Sequence, residues 1–187
     1  MKYFFIITTI IFGVSCTQDK VIAWVGNTAI TFDHLNYIIQ IEQAYENENP
    51  DTLSMIFMLI RNELQEKEAA MSNIVVTPEM LHNEAQRFKR ETKAPEILKR
   101  VISIFRGDTV KYFTHYVRPV LIGQLLEQKY MCDTLANRNT SSDRDYTAWL
   151  ECQAQDIPVM IKDPVLKQRL LGRVKESPFW RSLLADQ

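Results

Sequence analysis

Hydrophobic and polar positions follow a strand period at the start of this chain and a helical period for most of the rest. Val21–Val25 puts Val, Ala and Val on one side and Ile and Trp on the other, the period-two pattern of a half-buried strand. Gly26-Asn27 suits a two-residue turn that needs positive φ, and a second short strand returns to Thr31. Thr31 can cap the helix that follows, and Asp33 in its first turn favours the helix dipole. Leu35, Ile38, Ile39 and Ile41 then form a broad apolar side through about Tyr45. After the polar break Glu46–Asp51, a second helix starts at Thr52 with Leu53, Ile56, Phe57, Ile60 and Leu64 at helical spacing. Asn73 ends it, and Ile74–Val76 is a short extended link.

Thr77-Pro78-Glu79 restarts the helical pattern as a cap, a first-turn proline and an acid. Leu81, Ala85 and Phe88 mark the buried side of this third helix. Pro95 opens a fourth, with Ile97, Leu98, Val101, Ile102 and Phe105 inside and Gly107 as its C-terminal cap. Asp108 caps a long fifth helix to about Tyr130. Val110, Phe113, Val117, Val120, Leu121 and Leu125 are expected inside it, with a kink at Pro119. Ala136–Asp145 reads as a loop, Tyr146–Gln155 as a short helix and Ile157–Ile161 as a third strand. Asp163-Pro164 begins a helix to about Gly172, and Pro178–Leu184 a final helical turn. The fold class is therefore mainly α, with a small N-terminal β-hairpin whose third strand has two open sources, the tail segment Ile157–Ile161 or a client.

The first 15 residues stand apart. Lys2 precedes the apolar run Tyr3–Val14, which is too short for a permanent span and has the form of a secretory signal. Gly13-Val14-Ser15-Cys16 resembles a bacterial lipobox, with Gly13 where Leu is usual. Cleavage there makes Cys16 the lipidated first residue, and several acyl chains would hold it firmly in a membrane. The alternative is ordinary cleavage, with Cys16 lost or left as a thiol. Thr17 after Cys16 resembles an outer-membrane sorting signal. The expected organisation is a signal peptide (1–15), a lipidated tether (16–20), a helical domain (21–130) and an extension packed on the same domain (131–187).

Charge excludes one class of partner. The formal net charge of −1 becomes −2 once Lys2, the one charged residue of the signal, is removed. That balance gives no footprint for nucleic acid. Cys132 and Cys152 are two in number in an oxidising compartment, so a disulfide is expected between them, stabilising by about 3 kcal/mol. Two unpaired thiols are the alternative.

Val21–Tyr130 resembles the N-terminal chaperone domain of the SurA/PpiC/PrsA periplasmic foldases. The stretches that carry the resemblance are VIAWVGNTAIT, LIRNELQEKEAAMSNIVVTPEMLHNEAQRF and FRGDTVKYFTHYVRPVLIGQLLEQKY. They correspond to the family's opening hairpin, its long helix with extended link and second helix, and its kinked last helix with Gly107, Asp108, Arg118 and Pro119. The usual Asn-Gly of the hairpin is inverted here. Isomerase members carry a parvulin domain after the helices. Only 57 residues follow Tyr130, without the histidine-rich strands and glycine-rich loops of that domain. The resemblance thus implies an ATP-independent, non-catalytic holder of unfolded envelope proteins, facing the periplasm from a membrane anchor, with no cofactor. Two alternatives stay open: a lipoprotein scaffold gripping one dedicated envelope partner, and a residual peptidyl-prolyl isomerase.

No motif for nucleophilic or phosphate chemistry occurs in the chain. His34, His82 and His115 fall in separate helices and read as partly exposed polar residues. Glu42, Glu46, Glu48 and Asp51 lack the spacing of a calcium loop, so no metal is expected. Arg87, Lys89, Arg90 and Lys93 read as a solvated helix face. Chaperone contact needs adaptable apolar surface, which aromatics and methionines supply. The candidates for client binding are Trp24, Phe32 and Tyr37 near the hairpin, Tyr112 and Tyr116 near the Gly107 turn, and Met58. Among Met55, Met58, Met71 and Met80, Met58 falls off the main apolar stripe.

Overall fold

The structure is a computed structural model that describes residues 20–46, 49–91, 95–136, 143–174, 180, 181 and 184. The expected signal peptide (1–15), Cys16 and residues 17–19 lie outside the described residues, as do 137–142 and most of the expected final turn. Strands β1 (Val21–Val25) and β2 (Thr28–Thr31) open the described chain. Gly26 between them takes φ +58°, a value a residue with a Cβ adopts only under strain. Helices α1 (Phe32–Glu46), α2 (Thr52–Met71), α3 (Pro78–Glu91) and α4 (Pro95–Ile104) follow. Next come a one-turn α5 (Thr109–Tyr112), a π-helical segment (Phe113–Val117) and α6 (Arg118–Ala136). The chain closes with α7 (Asp143–Gln153), β3 (Val159–Ile161) and α8 (Pro164–Arg173).

Local chemistry sets these boundaries. The Asp51 carboxylate accepts the Ser54 N–H at 3.0 Å and so caps α2 from one residue before the expected start. Thr77 Oγ1 accepts from the Met80 N–H, and Asp163 accepts from Val165 and Leu166, capping α3 and α8 as expected. Asp108 accepts the Lys111 N–H. Gly107 at φ +79° and Asn73 at φ 55° take the left-handed conformation that ends a helix.

The tail completes the sheet. The strand order is β2-β1-β3, both pairs antiparallel. Ala23 lies opposite Ile30 and Ile161, and all three are buried on the inner face. Trp24 lies opposite Ala29 and Met160 on the outer face, where Met160 is exposed. Two further hydrogen bonds extend the ladder, Gly26 N–H to Pro158 O at 2.7 Å and Lys162 N–H to Ile22 O at 3.1 Å. One apolar cluster joins the hairpin, α1, α2 and α4 to Ala154, Val159, Ile161, Leu170 and Leu184 of the tail. A second packs Ala69 of α2 against Ile122, Leu126 and Tyr130 of α6 and Tyr146 of α7. Residues after Tyr130 are therefore built into the same core as the hairpin.

The fifth helical stretch departs most from expectation. It is one rod, but its turn widens before Pro119: the Arg118 N–H donates to Phe113 O, five residues back. Proline at 119 cannot donate to the His115 carbonyl and its ring crowds it, and a π turn relieves both. The wide turn also shifts the phase of the apolar stripe. Tyr112 and Val117, five apart, are buried, followed by Leu121, Ile122, Leu126 and Tyr130. Val110 and Val120, expected inside, are exposed at 73% and 39%. The helix also runs to Ala136 rather than ending near Tyr130.

Candidate functional site

Two adjoining cavities of about 400 Å³ each lie between α1, α2 and the rod formed by the π segment and α6. Ile38, Asn62, His115 and Pro119 line both, so His115 and Pro119 stand at the wall the cavities share. The first cavity is bounded by Ile41 of α1, Met58 and Gln65 of α2, Tyr116, Val120 of α6 and Tyr146 of α7. The second reaches the hairpin at Thr28 and contains His34, Glu63, Glu66, Lys67 and Arg118.

Polar side chains fix the walls of this groove. Arg118 donates to Glu66 from Nε at 2.7 Å and from Nη2 at 2.9 Å, a two-pronged pair that locks the start of α6 to α2. That hydrogen bonding raises the Arg118 pKa further. Lys67 Nζ lies 2.7 Å from both Asn27 Oδ1 and Thr28 Oγ1, tying α2 to the hairpin turn. Buried Gln65 donates to the Tyr146 hydroxyl at 3.2 Å and joins α2 to α7. Its amide also lies 3.5 Å from where a Cβ on Gly123 would sit, so a small residue lets α6 approach. Buried Glu84 of α3 accepts from Arg87 and from Gln124 of α6.

The aromatic residues regroup relative to expectation. Tyr37 leaves the hairpin set: its ring stacks on Phe105 and on His115, both at 5.3 Å between centroids. Its hydroxyl accepts from Lys111 Nζ at 3.3 Å. Tyr112 lies among Phe105, Phe113 and Tyr116. At 7% exposure it is a core ring that offers no open contact surface, a correction to its expected place at a binding face. Its buried hydroxyl has no hydrogen-bond partner among the described residues, and burial, then Tyr45, pushes its pKa up to about 12. Tyr116 reaches the groove and shares a hydrogen bond with the Tyr45 hydroxyl. Burial and that bond raise its pKa. Met58 is half-buried and lines the first cavity as well as a neighbouring one beside Trp180. Trp24 stays half-buried on the outer sheet face, and Phe32 is 41% exposed with Lys20 Nζ 5.1 Å from its ring centre. The structure therefore gathers Tyr37, Met58 and Tyr116 about the groove and leaves Trp24 and Phe32 outside it.

Two groups in the groove were not anticipated. His34 and His115, far apart in sequence, face each other with ring centroids 4.9 Å apart. Burial first, then His34 and Lys111, holds the His115 pKa below its ordinary value, so the imidazole stays neutral. Glu63 is the second. Burial and the adjacent Glu66 carboxylate push its carboxyl above the ordinary carboxylate range, with Lys67 acting the other way. The available signal was spacing: His34 and Ile38 are four apart on α1, and Glu63 and Lys67 four apart on α2. Spacing did not say that these faces meet.

Cys132 and Cys152 are both free and exposed, so the expected disulfide is not formed. The two cysteines sit on different helices, α6 and α7, with both side chains turned to solvent. Among the described residues, no group of three or more His, Cys, Asp and Glu side chains is placed to hold a metal ion. No helix among them is long and apolar enough to cross a membrane. Comparisons with family models, curated proteins and solved structures found no match to this chain.

Proposed function

We propose that this protein is an ATP-independent, non-catalytic holding chaperone of the cell envelope, anchored through a lipidated Cys16 and facing the periplasm from the outer membrane. Its ligands are extended, aromatic-rich segments of unfolded envelope proteins. The observation that carries the reading is the groove between α1, α2 and the π segment. It is open, walled by Ile38, Ile41, Met58 and Val120, and edged by the half-buried Tyr116 ring. Such a surface takes up an apolar side chain by burial alone, at about 25 cal/mol per Å² removed from water. The resemblance of Val21–Tyr130 to the foldase chaperone domain supports the same reading. Main-chain pairing with a client is confined to the outer edges of β2 and β3, because β1 is the central strand.

The test is light scattering of an unfolded outer-membrane protein diluted from denaturant, with and without the mature chain. Equimolar protein is expected to slow aggregation, and Met58→Asp with Tyr116→Ala to weaken that effect without loss of helical signal. Scattering unaffected at equimolar or higher ratio refutes the proposal. A protease-coupled proline-peptide assay is expected to show only the spontaneous rate.

A further inference from the structure

Glu63 is a carboxylate without a counter-charge in contact with it. The cations that share its cavity are engaged elsewhere. Arg118 gives both its short hydrogen bonds to Glu66, and the Lys67 ammonium is held by Asn27 and Thr28 of the hairpin turn. No hydrogen bond or ion pair reaches Glu63 from the described residues. A half-buried carboxylate without a partner is costly, and a cation brought to it recovers part of that cost. The rest of the cavity suits a long aliphatic stem. Ile38, Leu59 and Pro119 supply apolar wall, and the His34 and His115 rings supply flat faces beside it.

We propose that this second cavity is a subsite for the ammonium or guanidinium end of a lysine or arginine side chain carried by the held segment, with Glu63 as its counter-charge. The inference rests on the holding function proposed above and narrows it. The first cavity takes an apolar or aromatic side chain, and the adjoining one takes a basic neighbour. Acid is expected to release the basic group. Protonation of Glu63 removes the counter-charge, and its raised pKa brings that step closer to neutrality. Protonation of His115 adds like charge to the cavity. The charged groups lining the two cavities with the His34 and His115 rings are Glu42, Arg61 and Glu127 in the first and Glu63, Glu66, Lys67 and Arg118 in the second, with Asp108 and Lys111 acting on His115 from before the π segment. Asp108 raises the His115 pKa and so favours the release, and Lys111 lowers it and opposes the release.

Two probes test the subsite. One is a fluorescent, unstructured, aromatic-rich peptide with a single arginine, compared with the same peptide carrying neutral citrulline there. The arginine peptide is expected to bind roughly fivefold more tightly near pH 7, the scale of one partly exposed ion pair. Glu63→Gln is expected to remove that preference and to leave citrulline-peptide binding unchanged. Equal affinity for the two peptides, or an arginine preference that survives in Glu63→Gln, overturns the inference and leaves the holding function standing. The second probe is agmatine, a free guanidinium, followed by NMR at the His115 ring. If neither peptide binds but agmatine shifts that signal in the wild type and not in Glu63→Gln, the subsite stands and the holding function falls. If agmatine also leaves it unmoved, both are overturned.

Discussion

Cutting the chain after Ala136 should unfold it rather than release a trimmed helical domain. The removed tail carries Val159, Ile161, Leu170 and Leu184, exposed at 1%, 8%, 0% and 1%. At about 1.5–3 kcal/mol each, burying these four side chains contributes roughly 6–12 kcal/mol, an upper bound because unfolded chains are already partly collapsed. That matches the whole net stability of an ordinary domain, about 5–15 kcal/mol. The cut also strips β3 from β1 and exposes Ala23 and Val25, both fully buried in the intact sheet. A point substitution gives a graded version. Leu170→Ala leaves a cavity in the core and should cost about 2–5 kcal/mol. At about 2–4 °C per kcal/mol for a chain of this size, Tm falls by about 4–20 °C. Met160→Ala, between two buried strand neighbours but half-exposed itself, should stay within about 0.5 kcal/mol. Thermal and urea melts followed by far-UV circular dichroism read all three. A truncated chain that still melts cooperatively at the full-length midpoint refutes the argument. So does a Leu170→Ala Tm within the error of the wild type.

Tyr112→Phe should be neutral or stabilising by up to about 1 kcal/mol, because it removes a buried hydroxyl that has no partner among the described residues; a loss of about 1 kcal/mol or more in urea melts means the hydroxyl is satisfied. His115 has a folded-state pKa below its unfolded value of 6.5, so the unfolded chain binds the proton first as pH falls. Its contribution is present above about pH 6.5 and is lost as pH falls below that toward the lower folded-state pKa, so stability should decline on the acid side of about pH 6.5. His115→Phe should flatten that slope, and an unaltered slope counts against the assignment. Arg118→Lys replaces a two-pronged pair by a point charge and should cost about 0.5–1.5 kcal/mol of stability, read from the same melts; no change means that the Glu66 contact does not fasten α6 to α2. In the native protein, both Cys132 and Cys152 should be alkylated by a maleimide without prior reduction, and a mass showing one internal disulfide refutes that expectation.

What the sequence made legible was chemistry that acts over one helical turn. Thr77, Asp108 and Asp163 cap where their side-chain oxygens predict, because a cap needs only a free N–H two or three residues ahead. Gly26 and Gly107 take positive φ for an equally local reason. The third strand was legible as a strand because Val159 and Ile161 flank Met160 with the right period. Its pairing with β1 lies outside what period can say, and only the three-dimensional arrangement supplies it. The cysteines failed for the same reason. Two cysteines in a chain expected to be exported are a compositional argument for a bridge, and a bridge also needs their Cβ vectors to converge.

The groove was illegible because one non-local consequence of Pro119 reorganises it. Read as an ordinary α-helix with a kink, Thr109–Tyr130 buries Val110 and Val120. With the Arg118 N–H bonded five residues back, the segment before it rotates. Tyr112 turns inward and Val110 outward, and His115 comes against His34 and Tyr37 of α1. Ile38 and Asn62 then face His115 and Pro119 across a space left open among the described residues. The same proline that costs the rod a hydrogen bond thus accounts for the wall of the groove. Replacing Pro119 by Ala makes that causal chain measurable. If restoring the N–H restores a regular α-helical turn, the π segment closes up, the His34–His115 contact is lost and binding at the groove weakens, while Leu126 and Tyr130 keep their packing. A variant that retains the His34–His115 contact, seen as an unchanged ring-to-ring NOE, would mean that packing against α1 and not the proline holds the wide turn open.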